Sequence, residues 1–424
     1  MTTPFLLSET LTPVSLPSTA PDHGLAAFVA ALAVAAFLAA WGTLHYGFYT
    51  HRLLLDTPIY ERYGDQIERG KVPYRDFAVE YPPGALPVFV APSLAVGPKH
   101  FKTYTRLFEG LMGICGAAAV AAVAFVLVRD RASPRRLAAA LALATLGSLA
   151  LGPVVLSRFD LWPAALTALA LAALVARRNV QAFALTGLAF AAKIYPGVLL
   201  PLMLAYVWRR EGRRTALLAT GAFAAVTLVT FVPFLALSPH GVWESVSGQA
   251  SRPLQIESLG AAVLLVAHQV SGLQVIVWPS HGSDNLFGST PDALATTQSI
   301  LQLLVLATLW LAFAGGPADS ERLFRYSAAA VCAFIALGKV LSPQYLVWLL
   351  PIVPLVRGRR AVAAGALLLI AMGLTQAWFP YRYLDLAFEL DPLASWLVLA
   401  RDLTLLALLA LLAWPERRQA PVST

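Results

Sequence analysis

Long apolar segments recur along the whole chain and constrain its fold more than any other feature of the sequence. Many approach the ~20 residues that a helix needs to cross a ~30 Å hydrocarbon core. Of the 424 residues, 58% are hydrophobic and only 13% are charged, whereas soluble domains contain about a quarter charged residues. Unpaired backbone groups cannot face lipid, so these segments predict helices, and the short alternating segments of a membrane β-barrel are missing. The sequence therefore predicts an all-α, polytopic membrane helical bundle.

Arginine clusters between the apolar segments predict the orientation of this bundle, because basic loops face the cytoplasm. The clusters are Arg129 to Arg136, Arg177 and Arg178, Arg209 to Arg214, Arg357 to Arg360, and Arg417 and Arg418. All lie inside if the chain crosses at 24–50, 101–128, 137–156, 160–176, 180–193, 195–208, 215–237, 294–314, 323–341, 344–356, 361–379 and 393–414. This arrangement predicts about 10–13 transmembrane helices. The net charge of +8 then reflects the basic loops that set the orientation of the protein in the membrane. Nucleic acid is therefore not an expected partner.

The remaining segments complete the predicted topology. The apolar stretches 84–97 and 259–278 would break the alternation and are predicted to be outer-side helices or re-entrant segments. Residues 24–414 are predicted to form one membrane domain, between a disordered tail at 1–23 and a cytoplasmic tail at 415–424. The first tail lacks Lys and Arg, so it has no positive n-region of a cleavable signal peptide, and the first helix should be retained.

The outer face holds the longer loops, which are 51–83, 238–258, 279–293 and 380–392. Function is therefore predicted on that face, outside the cytoplasm. The inner loops are too short for the ~30-residue βαβ units of a nucleotide-binding domain, and the sequence has no Gly-rich phosphate loop. A nucleotide-sugar donor is thus not expected. Cys115 and Cys332 lie in apolar runs and indicate neither a disulfide nor a zinc site, so no cofactor is predicted and a metal requirement is left open.

The first outer loop begins with the strongest candidate for a catalytic residue. Thr57 to Arg69 is predicted to be a helix lying along the membrane interface, with Ile59, Tyr63 and Ile67 as its apolar stripe. Asp56 precedes this helix, a few residues beyond the first span and at the depth of a lipid headgroup. It is either a capping or solvated residue or a general base.

The same loop ends with the sequence YRDFAVEYPPG. Asp76 and Glu80 precede Tyr81 and two prolines that hold the chain extended. The segment is either a turn that steers the chain back to the membrane or part of the side of a substrate pocket.

Ionisable residues inside apolar segments form a second set of candidates, because each costs about 2.5–3.5 kcal/mol at a helix centre unless it is paired or near water. Arg158 and Asp160 are either an internal structural pair or part of a site. Lys193 and Lys339 are predicted near the outer end, where they either reach the headgroups or bind an anion. His268 is predicted to be a hydrogen-bonded packing residue, since no second ligand stands at metal-binding spacing.

Two outer loops add a third set. Arg252, Gln255 and Glu257 lie between two apolar segments, and Arg382 lies among tyrosines in the sequence WFPYRYLDLAFELD. These are either ordinary loop residues or substrate contacts.

Group transfer from a donor that is itself a membrane lipid fits these residues. A polyprenyl-phosphate sugar needs a carboxylate that takes the proton of the acceptor hydroxyl and fixed cations that stabilise the departing phosphate. Because the phosphate leaves unaided, no second carboxylate is required as an acid, in contrast to glycoside hydrolysis. Asp56 is the predicted base. Candidate phosphate contacts are Arg158, Lys193, Arg252, Lys339 and Arg382.

Five blocks carry a family resemblance: LLLDTPIYERYGDQIERGKVPYRDFAVEYPPG, SRFDLWPAAL, AAKIYPGVLLP, SRPLQIESL and KVLSPQYLVWLLP. In order from Leu53 to Pro351, they resemble bacterial GT-C glycosyltransferases, closest to the polyprenyl-phosphate-mannose-dependent alpha-1,2-mannosyltransferases of glycosyltransferase family 87. The resemblance implies a GT-C multispan fold and an aspartate of the first outer loop as general base, a place that Asp56 occupies. Relatives often carry an acidic pair there, whereas Thr57 follows here. Predicted substrate contacts are Asp76, Glu80, Tyr81, Arg158, Asp160, Lys193, Tyr195, Arg252, Gln255, Glu257, Lys339, Gln344 and Tyr345.

The predicted activity is inverting transfer of a sugar, with mannose favoured, to a glycolipid or glycan acceptor of the cell envelope. The partners are then the lipid-linked donor, the acceptor and membrane lipids, and the protein is expected to be a monomer. The alternative is a transporter or flippase of lipid-linked sugars, which predicts paired charges near the membrane midplane and inverted repeats.

Overall fold

The computed structural model describes residues 23–50, 54–98 and 100–414, so both predicted tails lie almost entirely outside the described residues. The described part is built from sixteen α-helices and three short β-strands. The helices are α1 His23–Thr43, α2 Thr57–Glu68, α3 Leu86–Val96, α4 Phe101–Arg129, α5 Pro134–Leu151, α6 Leu161–Val175, α7 Asn179–Ala192, α8 Leu200–Glu211, α9 Arg213–Leu237, α10 Pro239–Ala250, α11 Leu259–Ser271, α12 Ser289–Ala314, α13 Ser320–Ala336, α14 Arg359–Trp378, α15 Tyr383–Glu389 and α16 Pro392–Ala413. The strands are β1 Leu254–Gln255, β2 Ile276–Ser280 and β3 Ser283–Phe287.

Seven helical segments of the described residues are long and apolar enough to cross a membrane, which confirms a polytopic helical membrane protein. They are Gly24–Thr43, Phe101–Arg129, Pro134–Leu156, Arg213–Leu237, Ser289–Ala314, Arg359–Trp378 and Pro392–Ala413. The predicted spans 160–176, 180–193 and 344–356 correspond to shorter apolar helices of 10–17 residues. Crossings beyond the seven remain a prediction.

The arginine clusters of different loops meet at one end of the bundle. Asp130, between α4 and α5, forms ion pairs with Arg136 at 2.8 Å and with Arg357, which precedes α14. Arg129 donates to the carbonyl oxygen of Val175 at the end of α6, 3.2 Å away. These contacts join loops that are far apart in sequence, as the predicted alternation of helix direction requires.

The four predicted outer loops meet at the opposite end. Gln249 of α10 donates to the carbonyl oxygen of Glu80 at 3.1 Å, and Arg252 donates to Ser283 at 2.7 Å. Tyr383 of α15 donates to Asp284 of β3 at 2.8 Å. The end that lacks the arginine clusters therefore carries the polar loop residues as one assembly.

The first of these loops packs into the protein more deeply than the sequence predicts. The α2 helix forms as expected, but Tyr60 and Tyr63 are each only 1% exposed. The Tyr60 ring stacks on Phe89 of α3 with ring centroids 4.3 Å apart. Aromatic side chains bury large areas, so the side of α2 that carries Tyr63 packs on α3. The other two residues of the predicted stripe, Ile59 and Ile67, are half-buried, and the interfacial position of the helix stays a prediction.

The predicted apolar stretch 259–278 is not one segment. It divides into α11 and strand β2, which pairs with β3 in a small sheet of order β1-β3-β2. His281 and Gly282 connect β2 to β3 with φ values of 53° and 68°, the left-handed conformations that a tight two-residue hairpin turn requires. The hairpin adds a β element to a fold that the sequence predicts as all helical.

Candidate functional site

One cavity of about 880 Å³ lies at the end of the bundle where the outer loops meet. It is lined by the start of α2, the end of the first loop, the turns before α6 and after α7, β1, the hairpin and the segment after α13. The predicted site residues that line it are Asp56, Glu80, Tyr81, Arg158, Asp160, Lys193, Tyr195, Arg252, Gln255, Glu257, Lys339, Gln344 and Tyr345. Residues predicted from five separate sequence blocks thus surround one space.

Asp56 is held at the cavity by two side chains. Arg158, whose side chain is 9% exposed, forms an ion pair with Asp56 Oδ1, and the Asp56 side chain keeps 23% of its surface exposed. Tyr60, one helical turn later, donates to Asp56 Oδ2 at 3.3 Å. Burial lowers the pKa of Arg158 to about 10, so the guanidinium stays charged at neutral pH. Asp56 is therefore a fixed carboxylate with access to the cavity.

Asp160 pairs with Lys193 and not with its sequence neighbour Arg158. Lys193 Nζ and Trp348 Nε1 donate to the same oxygen of Asp160 at 2.6 and 2.7 Å. The Lys193 ammonium also lies 4.7–5.1 Å from the ring centroids of Phe159, Tyr345 and Trp348, which adds cation–π attraction. Of the two alternatives left open for Arg158 and Asp160, the structure therefore favours part of a site over a mutual pair. Lys193 is paired inside the protein and does not extend as a free cation.

Glu257 is a buried carboxyl group at the cavity, with only 2% of the residue exposed. Gln255 Nε2 donates to its Oε2 atom in a short hydrogen bond, and Arg401 Nη2 donates to its carbonyl oxygen at 2.6 Å. Burial raises the pKa of Glu257 to about 8 although Arg401, Arg158 and Arg252 act against the increase. Burial therefore favours the neutral form of the Glu257 carboxyl group.

Arg252 and Lys339 are cavity cations whose hydrogen bonds within the described part of the chain go to neutral groups. Arg252 donates to Gln249 and Ser283, and its Nε has no partner among the described residues. Lys339 donates to the carbonyl oxygen of Ala250 at 2.8 Å. Burial and then the neighbouring Arg252 lower the pKa of Lys339. Two uncompensated cations at one side of a cavity favour an anionic ligand.

Other predicted residues lie elsewhere or have structural contacts. Asp76 lies outside the cavity, where the Arg75 side chain and then the Val72 N–H lower the pKa of its carboxyl to about 2. Asp76 thus stabilises the turn that runs from Val72 to Asp76. Arg382 also lies outside and contacts Asp391 at 3.8 Å. His268 makes a hydrogen bond to the carbonyl oxygen of Leu273.

Aromatic rings position much of the rest of the cavity surface. Tyr195 and Tyr345 both stack on Trp348 with centroids 4.1 Å apart, and the Tyr195 hydroxyl shares a hydrogen bond with Thr167. The Gln344 side chain leaves its oxygen without a partner in the described part of the chain.

Sequence analysis missed several residues at or near the site. His281, Asp284 and Tyr383 line the cavity. Arg401 and Asp402 lie side by side in α16, are fully buried and pair at 2.6 Å. The sequence feature that indicates Arg401 and Asp402 is an arginine directly followed by an aspartate inside an apolar span. Among the described residues, no group of three or more His, Cys, Asp or Glu is arranged to hold a metal ion.

Comparisons with known proteins identify structures of similar shape but no family. No protein-family model and no curated protein matches the sequence. The solved structure of ArnT from Cupriavidus metallidurans bound to undecaprenyl phosphate is 16% identical, with a TM-score of 0.47, over 92% of this chain and 77% of that one. The Archaeoglobus fulgidus oligosaccharyltransferase in its apo form is 14% identical, with a TM-score of 0.44, over 93% of this chain and 56% of that one. At these scores the similarity assigns neither family nor function.

Proposed function

We propose that this chain is a membrane glycosyltransferase that moves a sugar from a polyprenyl-phosphate donor to a glycolipid or glycan of the cell envelope, on the extracytoplasmic face. The observation that carries the proposal is the single cavity that combines a fixed carboxylate, Asp56, with two uncompensated cations, Arg252 and Lys339. Mannose is the favoured sugar because of the resemblance to the lipid-phosphate-mannose-dependent enzymes.

The reaction assigned to this cavity is a single displacement. The acceptor hydroxyl oxygen forms a bond to the anomeric carbon while the bond from that carbon to the phosphate oxygen breaks. Asp56 takes the hydroxyl proton, and the electron pair leaves on the lipid phosphate. Attack opposite the leaving group inverts the anomeric configuration, and no acid is needed because the phosphate is a stable anion.

Arg252 and Lys339 are the best candidates for holding that phosphate. Lys193 and Arg158 are already balanced by Asp160 and Asp56, whereas the other two cations are not. Charge-assisted hydrogen bonds to phosphate are about twice as strong as neutral ones, and they strengthen as charge develops on the leaving oxygen. The two cations therefore support departure of the lipid phosphate.

The surface of α12 supports a lipid-borne donor. Only 22% of its most apolar stretch is buried inside the protein. Leu303 and Leu304, which lie on this helix, are 63% and 59% exposed. Ser299 and Gln302 of the same helix line the cavity. A polyprenyl chain lying on the exposed face of α12 would thus place its phosphate beside the cavity.

The transport alternative predicts paired charges near the membrane midplane. The two charge pairs that line the cavity, Asp56–Arg158 and Asp160–Lys193, lie instead at the end of the bundle where the outer loops meet. Arg401 and Asp402 form a third buried pair, which does not line the cavity and binds the backbone of Glu257. This placement favours catalysis at a surface site over a transport pathway.

A transfer assay tests the proposed function. The protein is reconstituted in vesicles with radiolabelled polyprenyl-phosphate mannose or, in parallel, polyprenyl-phosphate arabinose, and with a glycolipid fraction from the cell envelope. We expect a labelled glycolipid of inverted anomeric configuration with the mannose donor. Unmodified donor in the opposite leaflet, without a labelled product, would instead identify a flippase. No product from a protein that shows a cooperative thermal transition would overturn glycosyl transfer.

Orientation of the site gives an independent prediction. Lys71→Cys in the first loop should react with a membrane-impermeant maleimide in intact cells, whereas Arg214→Cys at the arginine end should react only after permeabilisation. Both positions are exposed, and the native Cys115 and Cys332 are buried, so background labelling should be low. Labelling of Arg214→Cys alone in intact cells would place the site in the cytoplasm and contradict the proposal.

A further inference from the structure

Glu257 has one carboxyl oxygen with a hydrogen-bond partner and one without. Gln255 Nε2 donates a hydrogen bond to Glu257 Oε2. The other oxygen, Oε1, is buried and has no partner among the described residues. The residue lines the cavity and is 2% exposed. A buried polar atom without a partner is costly, and a molecule bound in the cavity that formed a hydrogen bond with this oxygen would remove that cost.

The charges around Glu257 do not require it to be ionised. Of the arginines that face it, Arg401 of α16 is balanced by Asp402, and Arg158 before α6 is balanced by Asp56. Arg252, before β1, is bound to Ser283 and Gln249 and faces the proposed phosphate. The remaining titratable neighbour, Tyr383 of α15, donates its hydroxyl hydrogen to Asp284.

Burial then decides the protonation state. Desolvation is the largest influence on Glu257 and raises its pKa to about 8, against the lowering effect of the three arginines. A carboxylic acid that stays neutral at pH 7 becomes a hydrogen-bond donor, which an ionised carboxylate is not.

We propose that Glu257 stands in the cavity as a neutral carboxylic acid and donates a hydrogen bond to a hydroxyl of the donor sugar. Arg252 faces Glu257 and belongs to the proposed phosphate site, so the sugar attached to that phosphate would lie next to the free Glu257 oxygen. The inference rests on the proposed function and makes Glu257 a residue that selects the sugar, because a buried donor left unpaired discriminates strongly against a sugar lacking the hydroxyl.

The pH dependence follows from the direction of the pKa shift. The donating form is present below the pKa of Glu257 and is lost as the pH rises through about 8. Sugar transfer should therefore fall on the alkaline side of neutrality. Glu257→Gln keeps a neutral donor of similar shape at every pH, so this variant should lose the alkaline decline.

Infrared difference spectroscopy tests the protonation state without any turnover. The spectrum of the wild-type protein at neutral pH minus that of Glu257→Gln should show the carbonyl stretching band of a protonated carboxyl group. The band should disappear above pH 8 and shift when polyprenyl-phosphate mannose, but not polyprenyl phosphate, is added. Absence of the band would show an ionised Glu257, and an equal shift with both lipids would exclude the sugar contact. Either result overturns the inference even if sugar transfer is observed.

Steady-state kinetics of Glu257 variants provide a second test of the inference. We expect Glu257→Gln to retain kcat/KM for the donor within about threefold, and Glu257→Ala to lose about tenfold, the cost of one missing hydrogen bond. If Glu257→Gln is as impaired as Glu257→Ala and keeps the alkaline decline, the group does not act as a neutral donor. A wild-type protein that transfers no sugar would overturn the proposed function, whereas the infrared result would still decide the state of Glu257.

Discussion

Replacing Asp56 by asparagine is expected to lower the rate of sugar transfer by about 10²–10⁴-fold, the usual contribution of a general base. The amide has nearly the shape of the carboxylate but cannot take the proton of the acceptor hydroxyl. Donor binding should persist, because the proposed phosphate contacts belong to other residues. The measurements are single-turnover transfer of labelled sugar and binding of polyprenyl phosphate by the same preparation.

Asp56 is preferred to the four other carboxylates that line the cavity. Asp160 is 1% exposed and engaged by Lys193 and Trp348. Burial raises the pKa of Glu257 to about 8, which disfavours the ionised form that a base requires, and Asp284 accepts a hydrogen bond from the hydroxyl of Tyr383. The last, Glu80, is on the exposed loop beside the hairpin turn. Asp56 combines partial exposure with an orientation that an arginine and a tyrosine fix through both of its carboxylate oxygens.

The control for Asp56→Asn is Glu68→Gln, the same carboxylate-to-amide change in the following helix at an exposed residue outside the cavity. It should transfer sugar at the wild-type rate. Because Asp56→Asn also removes the counterion of the buried Arg158, both proteins must show comparable thermal transitions. Retention of turnover within about threefold of the wild-type rate in a folded Asp56→Asn protein would exclude Asp56 as the base.

The class of the fold was accessible to sequence analysis because hydrophobic length encodes membrane-spanning helices, and seven are found among the described residues. The further crossings and the direction of the helices stay predictions. Four predicted loops at one end of the bundle do meet around a single cavity. The partners of the charged residues were not accessible. Arg158 and Asp160 are two positions apart, which favours a mutual pair, yet Arg158 reaches Asp56 and Asp160 reaches Lys193. Such pairing depends on helix packing, which a sequence pattern does not specify.

Two other features were missed for different physical reasons. The β2–β3 hairpin was hidden because Ile276 to Trp278 continue the apolar run of α11, and hydropathy alone does not separate a strand from a helix in so short a segment. Arg401 and Asp402 were hidden because an adjacent opposite pair barely changes the mean hydropathy of a long span. Their burial, and the bond from Arg401 to Glu257, appear only when α16 packs against the β1–α11 turn.

Removing both uncompensated cations, as Arg252→Met together with Lys339→Met, is expected to weaken binding of polyprenyl phosphate by about 10²–10⁴-fold. Each hydrogen bond to a charged group contributes about 1.5–3 kcal/mol, and a tenfold change in affinity corresponds to about 1.4 kcal/mol. Methionine keeps most of the apolar stem of each side chain, so the loss should reflect charge and not packing. Binding is measured by titrating polyprenyl phosphate into the detergent-solubilised protein.

The matched control is Arg69→Met with Lys71→Met, which removes the same two charges from exposed positions in the first loop. Comparable weakening in this control would reveal a general electrostatic effect of net charge. A specific phosphate site instead requires that the Arg252 and Lys339 variant lose donor affinity while its KM for the acceptor stays within about threefold of the wild-type value, because phosphate contacts act on the donor alone. Equal loss for donor and acceptor would mean that the two cations shape the cavity as a whole and do not bind the departing phosphate.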